Sequence, residues 1–131
     1  MSKPILCLDF DGVLHSYTSA WERSDRIPDP PVFGAMVFLE QAVEHFDVQI
    51  LSSRSREMSG IDAMCRWLET YLREHYDGDD VSAGKVISRI KFPIMKPAAF
   101  LTIDDRALCF DGNWPALKPE ELLKFKPWNK R

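Results

Sequence analysis

Two short apolar runs in this chain each stop at a pair of aspartates. Residues 5–8 run into Asp9-Phe10-Asp11-Gly12, and residues 100–103 run into Asp104-Asp105. An apolar run without alternation is the pattern of a strand buried on both faces, so each acidic pair falls at a strand's carboxyl end. Residues 48–51 read as another such strand. Before them Val32, Ala35, Met36, Leu39, Ala42, Val43 and Phe46 recur at helical spacing, and after them Ile61, Met64, Cys65, Leu68, Tyr71, Leu72 and His75 do the same to about Tyr76. Ser59 with Asp62 resembles a capping box for that second helix. Residues 77–84 read as a loop, 86–90 as a weaker strand and 107–110 as a further short one before Asp111-Gly112. Strands alternating with helices predict an α/β fold, a parallel sheet flanked by helices. Such sheets bind ligands beyond the carboxyl ends of their strands.

The bulk properties narrow the class. A length of 131 residues and a 45% hydrophobic composition suit one globular domain over residues 1–131. The net charge of −3 offers no global attraction for nucleic acid or an anionic membrane, although residues 118–131 carry +3 locally and read as a solvated tail. Cys7, Cys65 and Cys109 form no C-x-x-C pair, and the two in apolar runs, Cys7 and Cys109, read as small buried hydrophobes. No apolar stretch approaches membrane-spanning length and none near Met1 looks like a signal-peptide core, so a cytoplasmic protein with no membrane partner is expected.

The acids carry the chemistry. Asp9 and Asp11 lie two apart, so both carboxylates point to one side if the backbone stays extended, and Gly12 then permits a sharp turn. Four carboxylates gathered at neighbouring strand ends repel one another unless a cation compensates, which makes Asp9, Asp11, Asp104 and Asp105 candidate ligands of Mg2+. Ser52 and Ser53 follow the second strand, where a hydroxyl and backbone amides suit a phosphoryl oxygen. Lys96, eight residues before Asp104, is a candidate positive partner for the phosphate, with Lys85 and Lys91 as competitors. Arg54, Arg56 and Arg106 can grip a substrate anion or pair with the local acids. His15 reads as a solvated loop residue, and His45 and His75 suit helix carboxyl ends. Residues 16–31, with Pro28, Pro30 and Pro31 near the end, form a long loop, and its Trp21 can stack on a substrate ring or anchor the loop. Trp114, Phe125 and Trp128 read as pins for the carboxyl-terminal segment.

Leu8-Asp9-Phe10-Asp11-Gly12-Val13-Leu14, then Ile50-Leu51-Ser52, Lys96 and Ile103-Asp104-Asp105, in that order, resemble the four signatures of the haloacid dehalogenase superfamily. The resemblance implies a Rossmann-like core and an aspartyl-phosphate mechanism: Asp9 as nucleophile, Asp11 as acid and base, Ser52 and Lys96 holding phosphate. Gly12, Ser53 and Arg54, next to these positions in the chain, are candidate substrate-binding residues. The resemblance also places Asp104 and Asp105 at Mg2+, with Asp105 taken as the direct ligand. No segment has room for a cap domain, and a capless member goes with macromolecular substrates, a phosphorylated nucleic-acid end among them, or with a homo-oligomer whose neighbouring subunit covers the site. Three further readings stand beside this one: a small-metabolite or nucleotide phosphatase, a receiver-like phosphoacceptor, and a non-catalytic binding module on the same fold.

Overall fold

The apolar runs form the strands of one sheet. The computed structural model describes residues 2–130, and Met1 and Arg131, the latter in the basic carboxyl-terminal segment, lie outside the described residues. Strands β1 (Ile5–Leu8), β2 (Asp47–Ile50), β3 (Ile90–Lys91) and β4 (Leu101–Ile103) lie in the order β3-β2-β1-β4, and all are parallel. Helix α1 (Ala35–His45) links β1 to β2, and α2 (Met58–His75) with α3 (Asp80–Ile87) links β2 to β3. The chain therefore builds outward on one side of β1 and returns to lay β4 on the other. That reversal is a topological switch point, where open parallel sheets leave a crevice beyond the strand ends.

Leu6, Leu8, Val48 and Ile50 share one sheet face by the period of two, Leu6 opposite Val48 and Leu8 opposite Ile50. They join a single core with Leu39 and Val43 of α1, Met64, Leu68 and Leu72 of α2, and Val86 of α3. Full burial of a side chain of this size contributes roughly 1.5–3 kcal/mol, which fixes strand register and helix rotation together. Leu101 and Ile103 continue the same face opposite Leu6 and Leu8, yet remain 50% and 37% exposed, because no helix among the described residues packs closely on β4.

The stretch expected to be loop and weak strand is mostly helix. Asp79 caps α3 by accepting hydrogen bonds from the Val81 and Ser82 amides at 3.0 and 3.3 Å, and Ala83 and Val86, three apart, are buried. Of the expected strand 86–90 only Ile90 is in a strand, the two-residue β3 (Ile90–Lys91). Helix α2 begins at Met58 behind Glu57, so Ser59 is already inside it and forms no cap. Residues 107–110 form no strand, and Cys109 is exposed where burial was expected, unlike Cys7. Trp114 and Phe125 are exposed as well. Trp128 does pin the chain: its Nε1 donates to the Gly12 carbonyl at 2.7 Å, and Asn129 Nδ2 donates to the Ser16 carbonyl at 3.2 Å. No helix among the described residues is long and apolar enough to cross a membrane.

The long loop is held by buried polar groups. Arg54, only 1% exposed, sends Nε to both Asp11 oxygens at 3.1 and 3.0 Å and Nη1 to the carbonyls of Arg23, Ser24 and Arg26 at 3.2, 2.8 and 3.0 Å. Trp21 lies over its guanidinium at 4.6 Å. Helix α2 comes close beneath because residue 60 is glycine: a Cβ there would sit 2.1 Å from the Arg54 carbonyl oxygen. His15 is buried rather than solvated. Its Nε2 accepts the Asp29 amide at 3.1 Å, so the ring proton lies on Nδ1 and is donated to Asp11 Oδ1 at 2.8 Å. Trp67 Nε1 donates to the Asp29 carbonyl at 3.0 Å. Burial works to raise the Asp29 carboxyl, but hydrogen bonds from Ser19 and Thr18 and the neighbouring His15 outweigh it and hold it below the usual range.

Breaking a buried ion pair from one side leaves the partner charge uncompensated and costs about 3–5 kcal/mol. Arg54→Ala should lose that much in urea unfolding. Arg54→Lys should not restore it, since a point charge cannot serve Asp11 and three carbonyls at once. A loss below about 1 kcal/mol would mean that water replaces these contacts.

Candidate active site

Where β1 and β4 end side by side, their acids meet. Leu8 pairs with Ile103, and the Asp9 amide donates to the Ile103 carbonyl at 3.0 Å, so the residues after each strand are neighbours. One carboxylate oxygen from each of Asp9, Asp104 and Asp105 lies within 4.8 Å of the others. On the other side of β1 the Leu51 amide donates to the Leu8 carbonyl at 3.0 Å, which brings Ser52 and Ser53 to the same rim. An open cavity of about 300 Å³ is bounded by Asp9, Asp11, Ser52, Ser53, Asp104 and Asp105, with Tyr17, Trp21 and Arg106 at its margin. The depression beside Tyr71 and His75 holds no comparable cluster.

Asp9 is electrostatically out of balance when no cation is beside it. Burial is the main cause, and Asp105 and Asp104 add to it against the opposing Phe10 amide, so the Asp9 carboxyl is pushed up to about 8. Asp105 Oδ1 is buried with no hydrogen-bond partner. An orphaned carboxylate oxygen inside an all-oxygen donor set fits a hard divalent cation. Asp104 commits Oδ1 to the Arg106 amide at 2.7 Å, which leaves Asp105 as the less encumbered donor. Gly12 makes the approach between the two strand ends possible: it has φ +81°, and a Cβ there would lie 2.3 Å from Asp105 Oδ2.

The structure separates Asp11 from the other three acids. The chain bends at Phe10, whose side chain is fully buried, and Gly12 donates its amide to the His15 carbonyl at 2.8 Å. Asp9 therefore faces Asp104 and Asp105, whereas the Asp11 carboxylate faces Arg54 and His15. Its side chain borders the cavity but does not join the carboxylate triad, contrary to the expectation of four converging ligands. Arg54 is likewise placed behind Asp11 instead of on the substrate rim, because its donors are occupied by the loop. Ser52 caps the 3-10 turn Ser53–Arg56, accepting the Arg54 amide at 3.2 Å, and its O–H hydrogen stays available to donate into the cavity. Ser53 is exposed beside it.

Of the three lysines, Lys91 pairs with Asp47 at the amino end of β2 at 3.1 Å, and Lys85 acts on Asp79. Lys96 acts on Cys7 of β1. Burial and then Asp9 push the Cys7 thiol up, and the Lys96 charge opposes them. Lys96 is exposed and does not border the cavity. The sequence reading missed Tyr17 and the buried position of His15. For His15 a signal existed: it stands four residues after Asp11, within reach across a tight turn.

No protein-family model, curated protein or solved structure matches the chain.

A carboxyl group raised in the folded state, here to about 8 from 3.8, adds stability that is complete below the ordinary value and lost as pH rises through the folded one. The cation-free protein should lose this contribution between about pH 4 and pH 8. Added magnesium should then raise Tm more at about pH 8.5 than at about pH 6, and equal increments would show that Asp9 is not the group that titrates. Gly12→Ala should remove most of the magnesium-dependent Tm increase, because the new methyl group displaces Asp105, and should cost about 1 kcal/mol or more for the left-handed backbone.

Proposed function

We propose that this chain is a magnesium-dependent phosphomonoester hydrolase acting through an aspartyl-phosphate on Asp9. The observation that carries the reading is the carboxylate triad at the switch point of the sheet, sharing one cavity with the Ser52 hydroxyl. Asp9, Asp104 and Asp105 would hold the metal, which when bound neutralises charge on the transferring phosphoryl group. Asp9 attacks phosphorus through a carboxylate oxygen as the ester P–O bond breaks, and Ser52 donates its O–H to a phosphoryl oxygen. Asp11, held in place by Arg54 and His15, protonates the departing alkoxide and then takes the proton of the water that opens the acyl phosphate. Of the three lysines, Lys96 is the one whose charge acts on Cys7 in β1, two residues before Asp9, and it is assigned to the phosphate.

The order of these residues along the chain, the parallel sheet and the lack of any inserted cap agree with a small capless member of the haloacid dehalogenase superfamily. That assignment is part of the proposal, as are an open-site substrate such as a phosphorylated nucleic-acid end and location in the cytoplasm.

A screen of nucleotides, sugar phosphates, phosphopeptides and end-phosphorylated oligonucleotides with magnesium tests the activity directly. Turnover should vanish with chelator, return with magnesium, and fall by at least about a thousandfold in a folded Asp9→Asn protein, since the displacement loses its nucleophile. Full activity in Asp9→Asn or in excess chelator would sink the mechanism. A stable phosphoryl adduct on Asp9 without turnover would favour a phosphoacceptor instead.

A further inference from the structure

Phosphoryl chemistry leaves Tyr17 and Trp21 at the cavity margin unused, and both are fixed in place. Tyr17 has φ 55°, a left-handed conformation that costs a residue with a side chain about 1 kcal/mol or more and persists only where the surroundings enforce it. The enforcement is visible. The preceding Ser16 donates its amide to the Pro30 carbonyl at 2.9 Å and accepts Asn129 Nδ2, while the Tyr17 ring lies 5.9 Å from His15 and 6.0 Å from Lys130 Nζ. Trp21 stacks on Arg54, itself locked by Asp11 and three carbonyls, yet its ring is still 45% exposed. Aromatic rings held in advance beside a phosphate site, with Arg106 and Lys130 nearby, match a heteroaromatic base one sugar away from a phosphate. The rings stack on the base and the cations meet the charge. The cavity volume of about 300 Å³ is at the lower end of the range for small-molecule sites, so such a base would lie along the open margin.

We propose that the 16–31 loop is a prebuilt selecting wall and that Tyr17 and Trp21 receive the base of a nucleoside phosphate, free or at a polynucleotide end. This rests on the preceding reading only in that the Asp9 cavity holds the phosphate. A sugar phosphate without a base meets half of the site.

Binding is measured by calorimetry in the protein with Asp9 intact and magnesium present, using the non-hydrolysable phosphonate analogue of each ester named below so that no turnover intervenes. Adenosine monophosphate should bind about tenfold or more tighter than ribose 5-phosphate, with inorganic phosphate competing against both. That factor should disappear in Trp21→Ala, fall in Tyr17→Leu and largely survive in Trp21→Phe, which keeps a ring. A 5′-phosphorylated trinucleotide separates the two sources of the ligand: tighter, salt-sensitive binding identifies a polynucleotide end, and affinity equal to the mononucleotide identifies a free nucleotide. Equal affinity for adenosine monophosphate and ribose 5-phosphate overturns the proposal. So does undiminished discrimination in Trp21→Ala or Tyr17→Leu at unchanged Tm, or no binding of the nucleotide at millimolar concentration. Wild-type turnover is scored separately. Base-dependent binding without hydrolysis of any phosphate would sink the phosphatase and leave the wall standing, whereas hydrolysis of sugar and nucleoside phosphates with equal kcat/KM would do the reverse.

Discussion

A guanidinium with almost no access to water organises this protein. Burying Arg54 requires that its donors be satisfied, and the partners that do so belong to separate parts of the chain: Asp11 beyond β1 and three carbonyls of the long loop. The same residue follows Ser52 at the end of β2. One side chain thus ties two strand ends to the segment that borders the cavity, and the register of β1 against β2 is linked to the position of the loop. His15 and Asp29 extend the arrangement to Trp67 on α2, so the wall of the cavity is connected to the apolar core through hydrogen bonds.

This arrangement divides four acids that look equivalent in sequence into two kinds. Asp9, Asp104 and Asp105 are left facing one another with a deficit of positive charge, whereas Asp11 is already matched by donors. The first group fits a cation, whereas the second already has its positive partner. The division is local in origin: Phe10 must enter the core, and the turn through Gly12 then sends successive carboxylates in different directions.

Much of the sheet was legible in the sequence because its signals are strong. Residues 5–8 and 48–51 locate β1 and β2 to within one residue, and the helical spacing that begins at Val32 and again at Ile61 locates α1 and α2. Signals fail where two patterns overlap. Val86 and Ile87 look like the start of a strand, but Asp79 caps a helix that ends there, and the paired apolar positions Ala83 and Val86 are too few to show a period. Residues 107–110 have strand composition, yet the sheet ends at β4 and they do not extend it. The acids at the strand ends were visible. That Arg54 would be spent inside on Asp11 was not, because a buried ion pair between residues 43 apart leaves no mark on local composition.

The contact between Trp128 and the Gly12 carbonyl joins residues 116 apart. During synthesis the turn that carries Asp9 and Asp11 emerges well before Trp128, and its hydrogen bond to that side chain waits for all the residues between them. Contacts of this sequence separation are entropically costly until the intervening structure has folded. The sheet and helices must therefore come first, and the geometry around the acids is completed late, after the core has paid the larger share of the ordering.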